Sequence, residues 1–198
     1  LVGNGMPHAK CFRHEDLPQA LRQRHILLGG IEQRALRALH EHSKPILRGI
    51  HSTIGGDLHL TRDVLVQQVI NELESSQLVL ISGPAGCGKS NVAKDAVSIL
   101  SADYFAFSFR AEEFAQPHFD TTLQSNQIPV NEATLRAILA GHDRKILLIE
   151  GLERLFERST RDAFADLLTL AADDKTLHII LTVRDYSTDL VRSWFLDD

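Results

Sequence analysis

Apolar positions along this chain change rhythm near residue 76. Before it they recur at helical spacing: Asp16 and Pro18 open a helix to Leu28, a second runs from Ile31 to about His42, and Ser43 and Pro45 begin a third. Leu58 to Leu60 reads as a brief edge strand, and Thr61 caps a helix with Leu65, Val66, Val69, Ile70 and Leu73 on one face. After it, short continuous runs of Val, Ile, Leu and Phe alternate with amphipathic stretches. The runs are Gln77–Ser82, Tyr104–Phe109, Lys145–Glu150 and Leu177–Val183, and the predicted helices between them are Lys89–Leu100, one capped by Asn131 that ends near Gly141, and Ser159–Ala172. Strands that are apolar throughout and separated by helices predict an α/β fold, a parallel sheet covered on both faces in three layers. Residues 110–130 carry no period and read as a loop excursion near the site.

The loop after the first of these strands carries the chemistry. Gly83-Pro84-Ala85-Gly86-Cys87-Gly88-Lys89-Ser90 matches G-x-x-x-x-G-K-[ST] between a strand and a helix, with Asn91 continuing into that helix. The glycines let backbone N–H groups turn inward as a nest, and the helix adds its free donors and positive dipole end. Lys89 supplies a point charge for β- and γ-phosphates, and the Ser90 hydroxyl is placed to ligate Mg²⁺. The small Cys87 fits the loop without a special role.

Two further elements narrow the class. Ile146-Leu147-Leu148-Ile149-Glu150 ends an apolar strand in an acid, the Walker B pattern, so Glu150 joins Ser90 as a candidate metal ligand. Glu153, three residues on, is the candidate to orient and deprotonate the attacking water. Arg184, after Leu181-Thr182-Val183, puts a guanidinium at the carboxyl end of the last strand, where ligands of open parallel sheets bind. It is the candidate γ-phosphate sensor.

The set GPAGCGKS, ILLIEGLERL and IILTVRDYS, preceded by LHLTRDVLVQQVINEL, resembles the STAND class of P-loop NTPases, which contains the NACHT and NB-ARC modules. The resemblance spans about residues 58 to 192. It implies a P-loop ATPase core binding ATP or ADP with Mg²⁺. It places Leu60 and Arg62 near the adenine, gives Glu150 and Glu153 to metal and water, and makes Arg184 the sensor. It further implies a slowly hydrolysing switch that self-associates in the ATP state within a longer chain, and bacterial members of the class act in defence against phage. The sequence departs from the class in its two glutamates, where aspartates are usual, and in Arg154, where a further acid is common. Those departures bear on the hydrolysis rate more than on binding. The alternatives are an AAA+ ATPase that remodels protein or nucleic acid, and a scaffold that holds nucleotide without cleaving it.

Composition limits the remaining options. The chain has 198 residues, 43% hydrophobic and 24% charged, with a net charge of −5, so broad attraction to nucleic acid is not implied. The cysteines, Cys11 and Cys87, are far apart and one lies in the phosphate loop, which fits a reducing cytoplasm rather than a disulfide framework. No apolar run reaches the roughly 20 residues of a membrane span. His40 and His42 fall on different faces of a helix and read as surface, and Phe105, Phe107 and Phe109 read as one face of a strand rather than a base-stacking platform. We expect residues 1–57 to form a helical linker or docking segment. Residues 58–198 are then the P-loop domain, incomplete at its C-terminus because the chain stops at Asp198 before a fifth strand and a lid.

Overall fold

The computed structural model describes residues 30–51, 53–54, 58–59, 62–158 and 160–195. The predicted helix over residues 16–28 and the expected contact at Leu60 lie outside these. Four parallel strands, β3 (Leu78–Gly83), β4 (Phe105–Arg110), β5 (Lys145–Glu150) and β6 (Leu177–Arg184), line up in the order β3-β6-β5-β4. Two short antiparallel strands, β1 (Thr53–Ile54) and β2 (Leu58–His59), pair with each other, so the segment expected at a sheet edge belongs to a separate ribbon. Helices cover both faces of the parallel sheet, which is the three-layer arrangement the alternating pattern implies. No helix among the described residues is long and apolar enough to cross a membrane.

One face carries α2 (Asp63–Ser75) and α3 (Lys89–Leu100), whose Val66, Val69, Val92, Ala93 and Ala96 pack on Ile146, Leu148 and Ile180. The opposite face builds the larger core. Phe107, Phe109, Leu147, Ile149, Ile179 and Leu181 meet α5 (Glu132–Leu139), α7 (Asp162–Asp173) and Val191 of α8 (Thr188–Phe195) there. Asn131 accepts the Thr134 N–H at 2.9 Å and so caps α5 as its residue type favours.

Residues 110–130 are not an excursion. They form a 3-10 turn (Ala111–Phe114) and α4 (Phe119–Ser125), and bury Phe114, Phe119, Leu123 and Ile128 in that core. Phe114 stacks on Phe119 with ring centroids 6.0 Å apart. The apolar positions are too few and too unevenly spaced to show a period, yet their aromatic bulk is what the core takes in.

The N-terminal segment also differs from expectation. Instead of two helices broken near Ser43, one helix, α1, runs from Ile31 to Gly49 through Pro45. Ala35, Leu36, Leu39, Ser43 and Ile46 form one buried face, and burial of that face outweighs the hydrogen bond that Pro45 cannot make. Ser43 donates to Leu39 O at 2.7 Å and accepts the Ser108 N–H at 2.8 Å. That N–H belongs to the outer edge of β4, so α1 closes an edge otherwise open to another strand. α1 shares its core with the sheet, Ala35, Leu36 and Leu39 joining the cluster that holds Phe107 and Phe109.

At the opposite end of β5, Lys145 is buried. Its ammonium pairs with Asp174 at 2.7 Å and donates to Leu139 O and His142 O. Burial works to raise the Asp174 pKa, but the Lys145 and Thr176 hydrogen bonds outweigh it and hold the carboxyl below its usual range. The stabilisation is therefore present above the ordinary aspartate range of roughly pH 4 and is lost as pH falls through the lowered folded-state value. Asp174→Asn should destabilise the protein at neutral pH, and its deficit in melting temperature relative to wild type should narrow as the pH is taken down toward 2. Ser43→Ala, by stranding the Ser108 amide, should cost about 1–3 kcal/mol in urea unfolding, with Ser43→Thr close to wild type.

Candidate functional site

The parallel sheet sends its carboxyl ends to one side, and the sequence-predicted residues gather there. In register, Gly83 sits beside Arg184, and Arg110 beside Glu150. The chain leaves β3 at Gly83, turns through Pro84 to Cys87 at the exposed loop tip, and enters α3 at Lys89. Gly88, the residue before α3, has φ 93°, in the left-handed region that a side chain would strain.

α3 crosses over β6 to reach β5, and this crossing makes the site. Its buried face rests on Ile146 and Leu148 of β5 and Ile180 of β6, so its first turn comes over the end of β5. There the Ser90 hydroxyl donates to Glu150 Oε1 at 3.0 Å. Lys89 Nζ donates to Gly83 O at 2.8 Å and Pro84 O at 2.7 Å, in the loop that precedes it. A pocket of about 310 Å³ is lined by Gly86, Gly88, Lys89, Ser90, Asn91, Glu150 and Arg62, with Gly49, Ile50 and His51 from the end of α1.

This donor set fits Mg²⁺. A hydroxyl and one carboxylate are hard oxygen ligands, and a site of this kind draws its remaining ligands from phosphate and water. Among the described residues no cluster of three or more His, Cys, Asp or Glu could hold a metal by itself.

Glu153 and Arg184 occupy a different place. Gly151, with φ 73°, turns the chain sharply after Glu150, and both flanking amides return to β6: Gly151 N–H donates to Thr182 Oγ1 at 2.9 Å and Leu152 N–H to Thr182 O at 2.8 Å. The short helix α6 (Glu153–Phe156) therefore starts above β6 rather than above the loop. Glu153 is buried, accepts the Arg184 backbone N–H at 3.2 Å, and pairs with Arg184 Nε at 3.1 Å. The two residues thus engage each other at the edge of a second, charged pocket that Glu112, Arg154, Glu157 and Arg158 also line.

Glu112 is a site neighbour that sequence reasoning missed. It holds Arg154 through Nη1 at 2.9 and 3.1 Å to its two carboxylate oxygens. That bond, with the charges of Glu112, Glu150 and Glu153, raises the Arg154 pKa. Arg154, which stands where the class commonly has an acid, is therefore a cation among three carboxylates. Nothing in the sequence pairs residue 112 with residue 154, since the contact depends on the 3-10 turn after β4.

A phosphate loop on a four-stranded parallel sheet, with an acid two strands away beside the loop's serine, defines a P-loop nucleoside triphosphatase. The chain belongs to the family described as novel STAND NTPase 1, whose profile matches residues 55–194. Among solved structures it is similar to the ORC2 protein of Aeropyrum pernix, determined as ADPNP-ADP complexes, with 18% identity and a TM-score of 0.50. The match covers 73% of this chain and 46% of that one, so this chain spans less than half of the archaeal protein; at this identity the likeness shows the fold alone. A comparison with curated proteins gives no match.

Arg184→Met should leave the Glu153 carboxylate buried with a single N–H donor. We expect a loss of about 1–3 kcal/mol in denaturant unfolding; an unchanged midpoint would show that the pair contributes nothing to the fold.

Proposed function

We propose that the protein is a Mg²⁺-dependent ATP-binding switch that hydrolyses slowly and whose output is its oligomeric state, as part of a longer cytoplasmic chain. The carrying observation is the 3.0 Å approach of the Ser90 hydroxyl to Glu150 across an intervening strand. A loop that only turned the chain would have no need of that convergence. In this reading the N–H groups of Gly86 to Ser90 and the α3 dipole hold the phosphate tail, and Lys89 exchanges its carbonyl partners for β- and γ-oxygens. Ser90 and Glu150 would hold the metal, which would supply positive charge to the phosphoryl oxygens.

Hydrolysis joins a water oxygen to the γ-phosphorus and breaks the β–γ bridging bond, with the water proton passing to a carboxylate. Glu153 is assigned that role, and Arg184 the sensing of the γ-phosphate. Their mutual ion pair connects the two tasks: an incoming γ-phosphate competes for the Arg184 guanidinium and so releases Glu153. A carboxylate that must first be released accounts for slow turnover. The same ion pair favours the second reading, a nucleotide-bound scaffold in which Glu153 is never released. Membership of the STAND class supports self-association in the ATP state and a place in antiviral defence.

Lys89→Ala should weaken ATP binding on the order of 100-fold in a calorimetric titration, and unchanged affinity would refute the nucleotide reading. Glu153→Gln should bind ATP and lose roughly 100-fold or more in phosphate release. If Glu150→Gln alone gives that phenotype, the two glutamates exchange roles; if wild type releases no phosphate over hours while retaining ATP, the scaffold reading stands.

A further inference from the structure

Among the arginines near the phosphate loop, Arg184 and Arg62 differ in what holds them. Arg184 is engaged by Glu153. Arg62 lines the loop pocket with Lys89, Ser90 and Glu150, and its guanidinium has no hydrogen-bond or ion-pair partner among the described residues. Its guanidinium lies directly over Gly88: a β-carbon added to that glycine would collide with Cζ and Nη2 and stand 2.8 Å from Nη1. Its backbone is fixed as the N-cap of α2, where its carbonyl accepts the Val66 N–H at 2.9 Å. A planar fork thus lies against the glycine that precedes the N-terminal end of α3.

We propose that Arg62 binds the polyphosphate tail of the nucleotide, rather than the base beside which the family resemblance places it. The pocket it lines is polar and built from the loop itself. The apolar side chains suited to a purine, Leu65, Val69, Leu78 and Leu80, line an adjoining groove of about 570 Å³ along β3, which shares Gly88 and Lys89 with the loop pocket but does not have Arg62 among its walls. A guanidinium offers two parallel N–H groups to two phosphate oxygens, which an ammonium cannot. Arg62 therefore adds a second cation to Lys89 at the loop. The absence of a side chain at position 88, which its φ of 93° favours, leaves the space that the fork fills.

This inference rests on the nucleotide-binding reading, and its test separates the two. ATP, GTP and inorganic tripolyphosphate are titrated calorimetrically into wild type, Lys89→Ala, Arg62→Ala, Arg62→Gln and Arg62→Lys, all in the full chain. We expect Arg62→Ala to weaken all three ligands by a common factor on the order of 10-fold, leaving the ATP:GTP ratio unchanged. Arg62→Lys should recover part of the loss, since it restores charge without the fork. Where Arg62→Ala melts early, Arg62→Gln, which keeps a polar stem and loses the charge, serves in its place. Tripolyphosphate binding unchanged by either variant, or a shift in the ATP:GTP ratio without it, overturns the proposal. If Lys89→Ala binds ATP as wild type does, the nucleotide reading itself fails and this one with it.

Discussion

The site depends on α3 crossing from β3 over β6 to β5. The loop that starts the helix belongs to an edge strand, whereas the acid it needs ends a strand two positions away. Only burial of Val92, Ala93, Ala96 and Val97 against Ile146, Leu148 and Ile180 carries the first turn of the helix that far. The 3.0 Å Ser90–Glu150 contact is the product of that packing. An apolar interface on one face of the sheet therefore sets the position of a polar pair at its rim. Substitutions that shift α3 are expected to disturb the Ser90–Glu150 pair without touching either residue.

The rim itself divides into two electrostatic environments. Around the loop lie Lys89, Arg62 and the helix N-terminus, a cationic setting with Glu150 as its acid. Above β6 lie Glu153 with Arg184 and Glu112 with Arg154, each charge matched by a partner. The left-handed turn at Gly151 makes the division, because it redirects the chain between two glutamates only three residues apart. Matched ion pairs of this kind add little stability where they are exposed, but the buried Glu153 leaves its partner only when something else compensates both charges. Under the proposed function, that is where a nucleotide would act on this end of the sheet.

Much of this was legible beforehand, for identifiable reasons. The four strands are short runs rich in Val, Ile, Leu and Phe, too short for buried helices, and a phosphate loop is bounded by such a strand and the helix after it. Other features were hidden. α1 runs through Pro45 because its buried face outweighs the break that proline signals. The core role of Phe114, Phe119 and Leu123 cannot be read where so few apolar residues are so unevenly spaced. Similarly, Glu112 reaches Arg154 across 42 positions of sequence, a distance no local pattern spans.

By itself, the order of residues determined the class: the parallel α/β sheet, the loop that grips phosphate, and the acid that ends the Walker strand. These are local properties, since hydrophobic period and backbone conformation act over a few neighbouring residues. The tertiary structure alone decided which charges meet. It set Arg62 over Gly88, tied Arg184 to Glu153 and surrounded Arg154 with acids. Such pairings depend on strand order and on the direction in which each loop leaves the sheet, and those are fixed only when the helices have packed.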